Sequence, residues 1–358
     1  MGFFYIERMK RIFFKSVYCT VLACGSTADV RQVDAGAAAE ASEGYTVSNE
    51  PAETIKSTVA PDPASVAFQK HVDASAIKRH IEFLASDALA GRKTGTDGIE
   101  EAATYIIKEF QQAGVKPYFT SYRDKFDAKG VDGYNVVGML EGTDADLKKE
   151  FIVIGAHYDH IGTANADGED TIANGANDNA SGTSAVIELA KYFAKAKTNK
   201  RSIIFALFSA EELGLLGSAH LAERLKTTSI NPYVMFNIEM IGVPMTDKDY
   251  TVYLTGYENS NMAQKFNGYA GAKVMGFLPQ AKQFNLFKRS DNYAFYAQFK
   301  IPAQTVSTFD FTNFDHYHKV GDEAAAMNFD HVAEVVNQLI PGVEGMTNSV
   351  THEILWNE

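Results

Sequence analysis

Between Gly155 and Gly217 the chain reads GAHYDHIG, then GANDNASG, then SAEELGLLGS, and acid and imidazole side chains crowd the junctions of predicted strands and helices. Open α/β sheets place their sites at such junctions. His157 directly follows an apolar stretch and Asp159 stands two positions on, so an extended backbone points both side chains to the same side. That relation suits a metal ligand and the carboxylate that orients it, although a satisfied polar cluster at a strand end reads the same way. Asp178 lies in a loop of small residues, Gly175 to Gly182, that runs into a predicted helix. Small residues let backbone and metal approach closely, and an aspartate there also suits a helix cap. Glu211 and Glu212 follow the apolar run Ile203 to Phe208. Adjacent carboxylates in such a setting repel unless cations or protons compensate them. Metal binding by one and proton transfer by the other resolves the conflict; a solvated helix start does so too. Glu239 is a charge among apolar neighbours, and such a carboxylate is seldom buried unpaired. In Asp315 to Asp322, His316 and His318 each offer an imidazole.

The elements that must position these groups follow from hydrophobic period. Ile77, Ile81, Leu84 and Ala88 have helical spacing behind Ser75 as the expected cap, and a second helix over 98–113 ends at Gly114. Residues 134–140, 151–156, 202–208 and 233–239 read as strands, with 151–156 and 202–208 nearly all apolar and therefore central. Helices are expected over 181–196 and 214–226, and a closing helix through Phe329, Val332, Val336 and Leu339 that stops at Pro341. Alternating strands and helices predict an α/β sandwich. No internal repeat interrupts it, so residues 65–345 are expected to form one domain, with 346–358 as a C-terminal tail.

Composition narrows the partners. The chain has 358 residues, 46% hydrophobic, with 33 Lys+Arg against 45 Asp+Glu and a formal net charge of −12. There is no basic stripe, which argues against nucleic acid. The two cysteines, Cys19 and Cys24, both fall near the start and offer the folded part neither a disulfide nor a cysteine metal site. Arg8, Lys10 and Arg11, a short apolar run, and Val21-Leu22-Ala23-Cys24-Gly25 read as an export signal over 1–24. The segment resembles a bacterial lipoprotein signal, which implies lipidation at Cys24 and a place in the cell envelope, periplasm or outer membrane. A plain cleaved signal peptide and a short core segment are the alternatives, and either Met1 or Met9 could start the chain. Residues 25–64, rich in Ala, Glu, Ser, Thr and Asp without apolar period, read as a disordered tether. Membrane contact is then expected only through the lipid anchor.

Taken in order, His157-Tyr158-Asp159, Gly175 to Gly182, Ser209 to Gly214, Asn237 to Gly242, and Tyr317-His318 with Asp322 resemble the zinc aminopeptidase branch of the co-catalytic di-zinc exopeptidases. That family also includes the glutaminyl cyclases and the peptidase domain of glutamate carboxypeptidase. The resemblance implies a three-layer sandwich with a mixed, mostly parallel central sheet and helices on both faces. It implies two zinc ions per chain, one held by His157 and Glu239, the other by Glu212 and His318, with Asp178 bridging them. Asp159 and Asp322 would support the two histidines, and Glu211 would be the general base in hydrolysis by a zinc-activated water. Peptides with a free N-terminus would be the substrates; the oligomeric state is left open. Two departures stand out. Glu239 replaces the usual aspartate, and Arg289-Ser290-Asp291-Asn292 resembles a Ser-Asp-His segment but has Asn292 in place of the histidine. Asp291, Asn292, Tyr293, Phe287 and Tyr317 are the expected pocket residues. A glutaminyl cyclase with one working zinc and a non-enzymatic binding domain on the same fold are the competing readings.

Overall fold

Runs of Val, Ile, Phe and Ala without an intervening charge build the strands at the centre of the protein, because only strands covered on both faces can hide every side chain. The computed structural model describes residues 67–230 and 232–357. All lie within the compact unit Val59–Glu358. The expected signal over 1–24 with Cys24, and the expected tether over 25–64, lie outside the described residues.

The strands are β1 (Lys116–Pro117), β2 (Arg123–Asp127), β3 (Asp132–Leu140), β4 (Phe151–His157), β5 (Gly162–Asp167), β6 (Asp170–Ala173), β7 (Ser202–Phe208), β8 (Pro232–Ile238), β9 (Val252–Leu254), β10 (Met275–Gly276) and β11 (Ala303–Ser307). The helices are α1 (Ala74–Leu84), α2 (Asp97–Ala113), α3 (Gly182–Ala196), α4 (Leu216–Thr227), α5 (Met262–Ala270), α6 (Pro279–Gln283), α7 (Asn292–Phe299) and α8 (Phe329–Asn348). One nine-stranded sheet runs β1-β3-β7-β4-β8-β11-β9-β10, with β2 also paired to β3; β5 and β6 form a separate hairpin. The central strands β7, β4, β8 and β11 are parallel. Antiparallel pairing in this sheet is confined to the flanks, where β3 pairs with β1, β2 and β7, and β11 pairs with β9.

Alternate residues of each central strand enter different cores, as a period of two requires. Ile152, Ile154, Ile203, Phe205 and Phe236 pack with Ile81, Ile106, Leu189, Phe266 and Leu339 from α1, α2, α3, α5 and α8. Val153, Ile204, Ala206 and Met235 face the opposite side, against Leu221 and Leu225 of α4 and Phe295 of α7. Helices therefore cover both faces. Each fully buried Ile, Leu or Phe in these layers contributes about 1.5–3 kcal/mol relative to exposure.

Two expectations are corrected. Asp73, not Ser75, caps α1, its carboxylate accepting from the Ser75 and Ala76 amides. Pro341 does not end α8, which continues to Asn348. The last described residues pack on the domain: Ile354 is buried and its amide donates to Tyr233 Oη, while Trp356 stacks on Tyr296. No helix among the described residues is long and apolar enough to cross a membrane.

Candidate metal centre

Three neighbouring parallel strands end at one place. His157 is the last residue of β4, Ser209 to Glu212 follow β7, and Glu239 follows β8. Asp178 comes from the irregular turn Ala176–Ser181 that enters α3, and His318 from the connection between β11 and α8. The backbone is strained around the site: Ala210, Met240 and His318 all have left-handed φ, at 57°, 51° and 56°. Such conformations cost about 1–3 kcal/mol each and collect where function dictates geometry.

The donor atoms converge on Asp178. Its Oδ1 lies 3.2 Å from His157 Nε2, and its Oδ2 lies 3.1 Å from His318 Nε2. Glu212 Oε2 is 3.2 Å from the same His318 nitrogen, and Glu239 Oε1 is 4.0 Å from His157 Nε2. Two groups of potential ligands result, His157–Asp178–Glu239 and His160–Asp178–Glu212–His318, the atoms of each within 4.8 Å of one another. Asp178 belongs to both. Imidazole and carboxylate are the ligand types zinc accepts. His157 Nε2 is buried without a hydrogen-bond partner, which is what an uncoordinated ligand atom looks like. The residues present thus fit a metal pair.

His160 is the residue that sequence reasoning passed over. Its Nδ1 lies 3.0 Å from Glu212 Oε1 and 3.7 Å from Asp178 Oδ2. Strand alternation pairs His157 with Asp159, but β4 stops at His157 and the chain turns, so period two no longer says where residue 160 points. The only signal was the second histidine of His157-Tyr158-Asp159-His160 itself.

Of the two supporting carboxylates, Asp159 stands beside His157 as expected, whereas Asp322 acts differently. His157 Nδ1 is 3.2 Å from the Asp159 carbonyl oxygen and 3.7 Å from its carboxylate. That carboxylate also accepts from Thr94 Oγ1 and from the Glu211 and Glu212 amides, fixing the turn that carries both glutamates. Asp322 makes no hydrogen bond to His318; its oxygens accept from the Asn177 and Asp178 amides at 2.7 and 3.1 Å, bracing the Asp178 turn. Arg92, fully buried, donates to the carbonyls of Leu84, Tyr158, Asn174 and Gly175, tying the same loops together.

Burial and crowding set the electrostatics. Burial raises Glu211 well above the usual carboxylate range, with Glu239, Asp291 and Glu212 adding to the rise against the opposing pull of His157. Glu239 and Asp291 are each pushed up to about 7, again chiefly by burial. Burial opposes protonation of His157 and His318, yet the neighbouring carboxylates, Asp159 and Asp178 for His157 and Asp178 and Glu212 for His318, override it, raising His157 strongly and His318 to about 10. Buried carboxylates in this excess call for cations.

A cavity of about 170 Å³ opens beside Glu239, with Tyr317, Phe309, Phe311, Thr305 and Ser307 in its wall. Tyr317 also stacks on His318, ring centroids 3.9 Å apart. The other expected pocket residues lie elsewhere. Phe287 and Tyr293 line a separate cavity of about 550 Å³. Asn292 is buried and donates to the Phe287 and Ala303 carbonyls, and the Asp291 carboxylate is buried with neither oxygen hydrogen-bonded.

An α/β sandwich whose central strands end in two imidazole–carboxylate groups sharing one aspartate has the layout of a metallopeptidase. The chain belongs to peptidase family M28, whose model matches residues 135–341. It is 31% identical over 179 residues to a probable zinc metalloprotease of Pyrenophora tritici-repentis, covering 47% of this chain and 40% of that protein. Over 144 residues it is 37% identical to aminopeptidase YwaD of Bacillus subtilis, covering 40% of this chain and 29% of that one. The matched region thus spans about two-fifths or less of these relatives' length. Among solved structures, the Legionella pneumophila LapA aminopeptidase superposes with a TM-score of 0.61 at 22% identity, covering 79% of this chain and 71% of LapA. A Fimbriiglobus ruber glutaminyl cyclase does so with a TM-score of 0.61 at 18% identity, covering 78% and 97%. At these identities the likeness is one of fold.

Proposed function

We propose that this protein is a two-zinc aminopeptidase that removes N-terminal residues from peptides. The observation that carries the reading is Asp178, which belongs to both ligand groups, with Glu211 beside them and in neither. His157 and Glu239 would complete one site, Glu212 and His318 the other, and the curated relatives named as a zinc metalloprotease and an aminopeptidase support both the metal and the reaction. When bound, the metal centre would polarise the scissile carbonyl and lower the pKa of a water. Glu211 then takes the water proton and returns it to the departing amine. The buried setting that raises Glu211 favours its protonated form once the proton has moved. The Asp159 carboxylate holds the Glu211 and Glu212 amides, so base and ligand keep one geometry. Excess carboxylate beside the cavity favours an unblocked, cationic N-terminus, and the cavity receives the side chain of the first residue.

The test compares peptides with free and Nα-acetylated N-termini, with and without chelator. Release of the first amino acid from free peptides alone, lost on chelation, is expected. Cyclisation of N-terminal glutamine without hydrolysis would point to a cyclase instead. We further propose that the chain is exported and anchored through a lipid on Cys24, a reading supported by Arg8, Lys10, Arg11 and the Val21 to Gly25 segment.

A further inference from the structure

We propose that His160 is a fourth protein ligand of the metal held by Asp178, Glu212 and His318, so that the two sites are unequal: one filled by four protein ligands, the other open with three. This rests on the metal-binding reading above and adds to it a residue outside the five expected ligands.

The geometry carries the inference. Zinc bound tetrahedrally at about 2.0–2.1 Å by nitrogen and oxygen holds its ligand atoms roughly 3.3 Å from one another. The four separations around this site are 3.0 Å from His160 Nδ1 to Glu212, 3.7 Å from His160 Nδ1 to Asp178, 3.1 Å from His318 Nε2 to Asp178 and 3.2 Å from His318 Nε2 to Glu212. They bracket that value. The His160 nitrogen thus faces both carboxylates that His318 faces, not Glu212 alone, and the two rings meet at 73° with centroids 5.6 Å apart.

The ring is also held for this role. His160 is 1% exposed, and its amide donates to the Arg92 carbonyl. Gly175 presses on its other side: a Cβ there would lie 2.6 Å from His160 Cγ. Only a glycine, at φ +63°, permits that approach. The ring therefore cannot swing away from Asp178 and Glu212 without moving the Gly175 turn that also carries Asp178.

Four protein ligands are the pattern of closed, tightly held zinc, whereas three leave a position for water or substrate. The structure thus gives the exchangeable position to His157, Asp178 and Glu239, the group bordering the cavity.

X-ray absorption at the zinc edge counts imidazoles directly. The full chain is stripped and loaded with one equivalent of zinc, then with two, and His160→Asn is measured alongside; asparagine keeps a donor toward Glu212 but no imidazole. At one equivalent the wild type should show two imidazoles per zinc, and His160→Asn one. At two equivalents the wild-type average should be about one and a half. One imidazole per zinc in the wild type at both loadings would overturn the inference and leave the two-metal reading standing; failure to take up zinc at all would overturn both. The wild-type count decides the question even if the variant does not fold.

Discussion

Asp178 Oδ2 stands 3.1 Å from His318 Nε2, and the other oxygen of the same carboxylate stands 3.2 Å from His157 Nε2. One side chain thus faces two imidazoles delivered by distant parts of the chain. A variant that removes it should act on both sites at once. Asp178→Ala is expected to retain no stoichiometric zinc after dialysis, whereas His318→Ala should keep zinc at the His157 site. Metal analysis checks this; an Asp178→Ala protein holding two zincs would show that the carboxylate bridges nothing.

Glu211 belongs to neither ligand group, and its amide is fixed by Asp159. Glu211→Gln should therefore lower kcat by about a hundredfold or more while bound zinc and KM change little. Turnover near the wild-type rate would remove Glu211 from the proton-transfer role.

Glu239 is the looser ligand, its oxygen 4.0 Å from His157 Nε2, whereas Asp178 and Glu212 have imidazole nitrogens within 3.0–3.2 Å. The longer side chain must fold back to reach a Zn–O distance of about 2.0–2.2 Å. A weak chelator is expected to draw out the His157/Glu239 metal first, and Glu239→Asp to retain both. Simultaneous loss of the two metals would contradict this asymmetry.

His331, on α8 away from the ligand groups, has a buried Nε2 with no partner, and burial pushes it down to about 4. The unfolded chain protonates this histidine below its ordinary 6.5, whereas the folded chain resists until about 4. The unfolded state then binds more protons, so stability falls as pH drops through that window, by a few kcal/mol at most, and the loss levels off below it. His331→Phe should lose less stability than wild type between pH 7 and pH 5 in urea denaturation. Parallel acid limbs for the two proteins would rule the contribution out.

Cys24 precedes Gly25 and follows Val21-Leu22-Ala23. Labelled fatty acid should enter the wild type in a bacterial host and not Cys24→Ser. Label in neither would leave a plain signal peptide.

Much of this was legible in the chain because the strongest signals are local. The apolar run 202–208 coincides with β7, and Gly114, at φ 81°, ends α2 as its type requires. What escaped depends on distant contacts. Asp73 outcompetes Ser75 because an aspartate two and three residues ahead of the free amides reaches both. Pro341 is tolerated inside α8, a 20-residue helix with α5 against its Gly342–Gly345 face, where Phe266 and Tyr269 would meet any added side chain. Asp322 and His160 were misplaced or missed because their partners, the Asp178 turn and the Glu212 turn, are joined to them only by the fold.

The most direct test of the account is zinc titration of metal-stripped protein, with hydrolysis of unblocked aminoacyl substrates recorded at each addition. Uptake of two equivalents, with release of free N-terminal residues reaching its full rate only as the second is bound, is the predicted result. Saturation at one equivalent, or two equivalents bound without release of any N-terminal residue, would contradict it.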